Sequence, residues 1–374
     1  MYIKGVGMTN FGTQTATSQE LVYESVMEAL NDADFSMEDI DAIVVSMIDT
    51  EANGERQRLF SSILSSILRK KIPILTATAV CSGGGAALWT ANKLGYDNVL
   101  VAGVERLLTT NTSRITDDIM MAAERIYEQS EGLNFPAQNA LVAQQYMLKC
   151  GATTDDLALV AYKNHKNAFY NPKARFYKKE VTLKQIKKSP VVASPLRLFD
   201  CSLFVNGAAC AILSKDKTDI EIAGSSLIVD RISTFESEDM TSWEATRLAA
   251  IEAYRQAGIS HSDIDVAEVH DAFTSVELIS YEDLGFCKKG EGKEMIRKGM
   301  SNLEGKIPVN TSGGLKAKGH PISATGISQI YELVKQIRKD AGKRQVENVK
   351  YALAHNVGGA GSTATVHILK NVGG

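Results

Sequence analysis

The chain has 374 residues, of which 44% are hydrophobic and 23% charged, and its formal net charge is −3. That length allows two packed domains or one large α/β unit. The near-neutral charge argues against a nucleic-acid or membrane-surface protein. No apolar run approaches the roughly 20 residues that span a bilayer, and the first residues lack a signal-peptide pattern, which favours the cytoplasm.

The cysteines are few and scattered. Their number is odd and no two form a CxxC pair, which argues against a disulfide framework and against a zinc site. No metal is therefore predicted. An isolated cysteine in an intracellular protein is usually a small buried hydrophobe, and one of the five has a different context. The five are Cys81, Cys150, Cys201, Cys210 and Cys287.

An internal repeat is the most informative global feature. Residues 27–41 recur at 251–265 without a gap, with Glu, Ala, Ala, Ser, Asp, Ile and Asp in register. Each copy predicts an amphipathic helix, a polar turn and a strand. We therefore expect two α/β halves of one fold, residues 1–215 and 218–374, with a site between them. The first half carries an inserted loop region, helical in part, at about 111–195.

Cys81 stands where an apolar strand prediction, Ile72–Val80, gives way to a run of small residues that opens a helix through Leu94. Free N–H groups and the helix dipole at such a junction favour a thiolate. Three glycines after Cys81 would let a ligand approach the backbone closely. From the residues alone, a nucleophile and a buried structural cysteine both remain open.

Three histidines lie at similar junctions. His320 sits between Gly and Pro on a glycine-rich loop, where a catalytic group or a solvent-exposed turn histidine would both fit. His270 ends the repeated strand of the second half. The carboxyl ends of strands form the usual ligand crevice of open α/β sheets, so His270 is either a site residue or a structural histidine that bonds Asp271. His355 ends another apolar strand and enters a glycine-rich turn, whose N–H groups could face an oxyanion.

Taken in order, these segments resemble the motif set of the thiolase superfamily along the whole chain. The opening Gly-Val-Gly-Met-Thr-Asn-Phe-Gly at 5–12 and His-Asp-Ala-Phe at 270–273 resemble one branch more closely. That branch is the sterol-carrier-protein-like thiolases and their archaeal relatives, some of which are acetoacetyl-CoA thiolases. The resemblance implies an α/β thiolase-like fold, with two duplicated halves in a layered αβαβα arrangement.

The resemblance also implies catalytic roles. Cys81 matches the nucleophile that takes up the acyl group, and His320 matches the histidine that activates it. His270 stands where many thiolases have Asn and ketoacyl synthases have His, and it would hold the thioester oxygen. His355 stands where most thiolases carry a second cysteine, the acid/base for the α-carbon proton. The backbone N–H groups of Cys81 and Gly358 would form the oxyanion hole.

Three positions depart from the family pattern. His355 replaces the acid/base cysteine, and an unperturbed histidine pKa of ~6.5 suits that task. Ala272 stands where some members of the branch have a cysteine. Asn206 stands where the family often has Asp. The implied activity is acetyl-CoA C-acetyltransferase: reversible cleavage and condensation of acetoacetyl-CoA through an acyl-cysteine, with coenzyme A (CoA) as substrate or product and no other cofactor.

A basic stretch in the inserted region could bind the phosphates of CoA or could be a solvated surface. Its members are Lys163, Lys166, Lys173, Arg175, Lys178, Lys179, Lys184, Lys187 and Lys188. The resemblance implies a homodimer or homotetramer, with no nucleic-acid or membrane partner. Alternatives are another 3-ketoacyl-CoA thiolase, a ketoacyl or hydroxymethylglutaryl-CoA synthase, or a subunit of a complex with a synthase and a small zinc-ribbon protein.

Overall fold

The computed structural model describes residues 1–48, 53–108 and 112–373. Its strands are β1 (Tyr2–Met8), β2 (Ala42–Ser46), β3 (Ile74–Thr76), β4 (Asn98–Arg106), β5 (Val191–Ala193), β6 (Leu196–Arg197), β7 (Asn206–Ser214), β8 (Ile220–Val229), β9 (Val266–Glu268), β10 (Tyr351–Gly358) and β11 (Thr363–Asn371). Its helices are α1 (Ser18–Ala33), α2 (Phe60–Leu68), α3 (Gly83–Lys93), α4 (Thr112–Met120), α5 (Phe135–Cys150), α6 (Thr154–Ala168), α7 (Leu183–Lys188), α8 (Glu244–Ala257), α9 (Thr274–Asp283), α10 (Gly292–Arg297), α11 (Gly314–Ala317) and α12 (Thr325–Ile337).

Nine strands form one continuous sheet made of two rows with the same internal order. The order is β3-β2-β4-β7-β1 and then β8-β11-β10-β9, and the rows are joined by a pairing of Tyr2 with Glu221. Val309 pairs with Ala267 of β9 where β3 pairs with β2 in the first row. The parallel and antiparallel pairings also match between rows. The α/β class is confirmed, whereas the residue boundaries of the halves stay a prediction.

The repeat has a local physical basis as well. Its shared Ser and Asp form the same capping box in both copies, because the Ser36 N–H donates to Asp39 and the Ser260 N–H donates to Asp263, each at 2.8 Å. Each box begins a single 3₁₀ turn that redirects the chain from the preceding helix into β2 or β9. Two identical turn signals therefore place two equivalent strands.

Helices cover the sheet in layers. α3 and α12 pack against each other and contact strands of both rows, so they form a central layer. α1 covers the outer face of the first row, and α8 covers the outer face of the second. The order α1, first row, central pair, second row, α8 agrees with the expected layered fold. No helix in the described part of the chain is long and apolar enough to cross a membrane.

The predicted insertion starts at residue 111, which lies outside the described residues. From residue 112 onward it contains α4 to α7 and the β5–β6 hairpin. α6 packs on α9 and α11, so the insertion lies against the second half. Asn164 of α6 donates to Asp271 at 2.8 Å, and the Asn171 amide donates to the Ser312 carbonyl at 2.8 Å. Part of the insertion thus braces the loops that carry two of the candidate histidines.

Candidate active site

Cys81 lies in a 3₁₀ turn, Val80–Ser82, between β3 and α3. The strand before it is shorter than the predicted Ile72–Val80, and the helix begins at Gly83. Val80 has φ of 48°, a left-handed conformation that is strained for a β-branched residue. Strain of this kind persists where the surrounding structure enforces it, and it presents the half-buried Cys81 side chain at the turn.

The Cys81 thiol is protonated at rest. Burial and the nearby Glu105 carboxylate raise the pKa of Cys81 to about 12, although the N–H groups of Gly359 and of Cys81 itself favour the thiolate. The N–H groups favour the thiolate, as the sequence indicates, but desolvation outweighs them. A base must remove the proton before the sulfur can attack.

His320 can serve as that base. Its Nδ1 lies 2.6 Å from the Thr325 hydroxyl, which itself donates to the Pro321 carbonyl at 3.2 Å. Nδ1 therefore carries the proton, and Nε2 keeps its lone pair. Burial and the Lys318 ammonium lower the pKa of His320 to about 3, so the ring is neutral at neutral pH. The backbone N–H of His320 donates to the Leu203 carbonyl at 2.9 Å, and this hydrogen bond fixes the loop.

His270 has the opposite tautomer. The Asn356 amide nitrogen lies 3.1 Å from His270 Nδ1 and donates to it, so His270 carries its proton on Nε2. Burial, together with His320 and His355, lowers the pKa of His270 well below its usual value. Asp271 does not pair with the ring: its carboxylate accepts the N–H groups of Leu315 at 2.7 Å and Lys316 at 3.2 Å. The bond between His270 and Asp271, which was the structural alternative to a catalytic role, is thus not observed.

The structure brings Cys81, His270 and His320 together. The cysteine sulfur and one nitrogen of each ring lie within 4.8 Å of one another, and the rings stand edge to face at 5.5 Å. Both Nδ1 atoms are hydrogen-bonded to other side chains, so the Nε2 atoms are the ring nitrogens left to interact with the sulfur. Across the described residues this is the only His, Cys, Asp and Glu group spaced to hold a metal, and its donors would suit zinc. A thiol, a basic nitrogen and an N–H donor also suffice for acyl transfer.

The other two predicted site residues, His355 and Gly358, both lie on β10. His355 and Asn356 are neighbours on β10, so their side chains point to opposite faces, and Asn356 faces the site. His355 Nε2 lies 3.0 Å from the Thr246 hydroxyl of α8, which leaves the acid/base role of His355 without geometric support. The N–H that reaches the Cys81 sulfur belongs to Gly359, one residue after the expected Gly358.

A small apolar cavity of about 130 Å³ lies beside the cysteine turn. Val80, Leu107, Ile119 and Ile322 line it, together with the buried carboxylate of Glu105. Cys81 itself packs against the same apolar cluster.

Sequence reasoning missed three residues of the site. Asn356 sets the tautomer of His270, Thr325 sets that of His320, and Glu105 acts on Cys81. A usable signal existed for Asn356, because strand alternation allows only one of two neighbouring polar residues to face the site. Thr325 and Glu105 carry no such signal, since their contacts depend on how α12 and β4 pack.

The basic stretch divides into two groups. Lys163 is buried in an ion pair with Glu277 at 2.6 Å, and Lys173 pairs with Glu28 at 2.7 Å. These two lysines are structural. Other members are exposed, among them Lys166, Lys178, Lys179, Lys184, Lys187 and Lys188.

Family comparisons match both halves of the chain. The thiolase N-terminal domain matches residues 1–195, and the thiolase C-terminal domain-like family matches residues 227–371. Among curated proteins, an acetyl-CoA acetyltransferase of Methanothermobacter thermautotrophicus is 39% identical over 97% of this chain and 97% of its own. Sterol carrier protein 2 of Bos taurus is 31% identical over 97% of this chain and 70% of its own length.

Solved structures agree with the fold. The Ltp2-ChsH2(DUF35) aldolase has a TM-score of 0.84 at 25% identity, covering 99% of this chain and 97% of that one. Human mitochondrial 3-ketoacyl-CoA thiolase has a TM-score of 0.74 at 17% identity, with 99% and 98% coverage, and this likeness bears on the fold alone. With both halves matched and near full-length relatives above 30% identity, the chain belongs to the thiolase family of acyltransferases.

Proposed function

We propose that this acyltransferase is an acetoacetyl-CoA thiolase, which cleaves acetoacetyl-CoA with CoA and condenses two acetyl-CoA in reverse. The observation that carries the proposal is the cluster of Cys81, His270 and His320 beside a cavity of about 130 Å³. A cavity of that volume favours an acetyl over a longer acyl group. The archaeal relatives named acetyl-CoA acetyltransferase support the same substrate.

In this mechanism His320 takes the Cys81 proton on Nε2, and the thiolate attacks the ketone carbon of acetoacetyl-CoA. The Nε2–H of His270 and the N–H groups of Cys81 and Gly359 stabilise developing charge on the carbonyl oxygens. One such donor is worth about 3–4 kcal/mol in comparable sites. The C–C bond breaks, the acetyl-CoA carbanion takes the proton from His320, and acetyl-CoA leaves. His320 then takes the thiol proton of CoA, the CoA thiolate bonds the acetyl carbon, and the Cys81 thiolate that is released recovers the proton.

Thiolysis tests the proposal directly. Absorbance of the acetoacetyl-CoA enolate is followed on adding CoA, for the wild type, Cys81→Ala and Cys287→Ser. We expect rapid loss with the wild type and with Cys287→Ser, a partly buried cysteine outside the site, and none with Cys81→Ala. Turnover by Cys81→Ala would refute the nucleophile, and an inactive wild type would refute the substrate.

A condensing synthase is the second candidate. His355 lies away from the cluster, so the site lacks the dedicated acid/base that the resemblance implied. A synthase that forms its carbanion by loss of CO₂ from a β-carboxylated thioester needs no such group. Release of CO₂ from malonyl-CoA in the presence of acetyl-CoA, without thiolysis of acetoacetyl-CoA, would favour this candidate.

CoA binding is proposed at the exposed lysines of α7, Lys184 and Lys188. The segment that follows α7 runs into the site, where the Ser202 N–H bonds the Ala272 carbonyl at 2.7 Å and Phe204 pairs with His320. Lysines at the start of this segment can hold phosphates while the thiol end of CoA reaches Cys81. Unpaired cysteine thiols fit a reducing cytoplasm, where CoA is available.

Oligomerisation is proposed through the outer edge of the sheet. β3 ends the first row, and its Leu75 side chain is 44% exposed. An edge strand with an exposed apolar residue favours pairing with a second copy. Light scattering after size exclusion should give a dimer or tetramer, and Leu75→Asp should shift it toward a monomer.

A partner protein is proposed at a second apolar surface. Tyr127 and Phe235 form an exposed aromatic pair with ring centroids 5.3 Å apart. The solved Ltp2-ChsH2(DUF35) aldolase supports assembly with a second protein. The resemblance implies that this partner is a small zinc-ribbon protein, in a complex with a synthase. Co-purification from the native host, lost on Tyr127→Asp, tests this interface.

A further inference from the structure

We infer that His320 is the only base of the reaction among the described residues, serving both the Cys81 thiol and the α-carbon of the second acetyl-CoA. This inference rests on the proposed thiolase function. It replaces the two-base scheme that a second acid/base residue would provide. Three observations carry it: the tautomers of the two site histidines, the orientation of His355, and the bonding of Glu105.

The tautomers allow only one ring to accept a proton. His270 receives a hydrogen bond on Nδ1 from the Asn356 amide, so its Nε2 is protonated and can only donate. His320 donates from Nδ1 to Thr325, whose own proton is committed to the Pro321 carbonyl. The Nε2 lone pair of His320 is thus the one basic nitrogen that faces the Cys81 sulfur.

His355 is directed away from the reacting atoms. It is buried on the far face of β10, and its Nε2 is 3.0 Å from the Thr246 hydroxyl. No other His, Cys, Asp or Glu in the described ranges 1–48, 53–108 and 112–373 joins Cys81 and the two histidines within 4.8 Å. A dedicated second base is therefore lacking from this cluster.

Glu105 is a buried acid in the wall of the cavity beside the cysteine turn, which Asp118 also lines. Its Oε2 accepts the Ser323 hydroxyl at 2.7 Å and the Ile48 N–H at 3.4 Å, and its side chain is buried. Both donors reach the same carboxylate oxygen, and the negative charge of Glu105 helps to keep the Cys81 thiol protonated at rest. The inference therefore assigns the α-carbon proton to His320 rather than to Glu105.

One base suffices because its proton is returned at each step. His320 takes the Cys81 proton, the thiolate bonds the acetyl carbon, and the departing CoA thiolate takes that proton from His320. His320 then removes a methyl proton from the second acetyl-CoA, and the carbanion bonds the acetyl carbon on Cys81. The C–S bond breaks, and the Cys81 thiolate recovers the proton. Two acetyl-CoA become one acetoacetyl-CoA and one CoA.

Deuterium exchange tests the inference separately from turnover. Acetyl-CoA is incubated with enzyme in D₂O, and deuterium in its methyl group is measured by mass spectrometry. The variants are Cys81→Ala, His320→Ala, the isosteric His320→Gln and His355→Gln. Thermal midpoints verify that each variant is folded, and thiolysis of acetoacetyl-CoA is measured in parallel.

We expect exchange by Cys81→Ala without thiolysis, exchange within threefold of wild type for His355→Gln, and at least a 100-fold loss in both His320 variants. Exchange that survives in folded His320→Gln, or that is lost in His355→Gln, overturns the inference. A wild type that exchanges but does not thiolyse refutes the proposed function alone. A wild type that does neither refutes both.

Discussion

Replacing Gly326 by alanine should separate the two central helices and disable the site. A Cβ at Gly326 would lie 2.3 Å from the Gly85 nitrogen and 2.5 Å from Asn356 Oδ1, whereas ordinary contact begins at 3.4 Å. Both neighbours belong to the packed interior, so α12 must move away from α3 by about 1 Å. Gly84, on α3, is equally constrained, because a Cβ there would lie 3.0 Å from the Gly326 nitrogen.

That movement acts directly on the reacting atoms. Thr325 holds His320 and is the residue before Gly326, while α3 follows Cys81 in the chain. A displacement of about 1 Å between a base and its nucleophile costs on the order of 100-fold in rate. Overpacking of the helix contact should also lower the free energy of unfolding by about 1–3 kcal/mol.

The assay is steady-state thiolysis of acetoacetyl-CoA, with urea unfolding measured on the same samples. Gly12→Ala is the matched control, because a Cβ there would first meet the Arg175 side chain at 3.9 Å, an ordinary contact. We expect Gly12→Ala to retain kcat within about twofold. If Gly326→Ala keeps wild-type kcat and stability, the helices are not held at van der Waals limits and the reasoning is wrong.

Three further predictions follow from burial and charge. The pKa of buried His165 is lowered to about 3 from 6.5, so the unfolded chain binds more protons and the free energy of unfolding falls below pH 6.5. His165→Leu should recover about 2 kcal/mol of that loss at pH 5 in urea titrations, and an unchanged pH slope would contradict the assignment. His270→Ala should lower kcat by about 10²–10³ through loss of a donor, and His270→Asn should restore most of it; equal activity of the two variants would exclude a donor role. The double variant Lys184→Glu/Lys188→Glu should raise the KM for CoA several-fold at low salt with kcat unchanged, an effect that high salt should reduce; an unaltered KM would remove α7 from the CoA site.

Sequence alone predicts the repeat, the α/β class and the nucleophile turn because these depend on local signals. Strand alternation, the Ser and Asp of the two capping boxes and the small residues of α3 are all readable from neighbouring positions. The expected strand up to Val80 failed for a local reason too, since Val80 adopts a left-handed conformation that no apolar pattern reveals.

Protonation could not be predicted from the sequence in the same way. The thiolate expected at Cys81 is suppressed by burial and by Glu105, which lies 24 residues away in the chain on β4. The choice between His355 and Asn356 depends on which face of β10 is turned toward the central helices α3 and α12. Such properties follow from tertiary packing, and the charge state of the cluster depends on the same contacts.

Because the two rows have the same strand order, equivalent positions of the two halves meet at the active site, where they carry different residues. Cys81 precedes α3, which connects β3 to β4, and His320 precedes α12, which connects the Val309 bridge to β10. Nucleophile and base thus occupy the same structural position in two copies of one unit. One copy of this loop therefore carries the proton donor, Cys81, and the other carries the proton acceptor, His320. A shift of one half of the fold relative to the other changes the distance between these two groups.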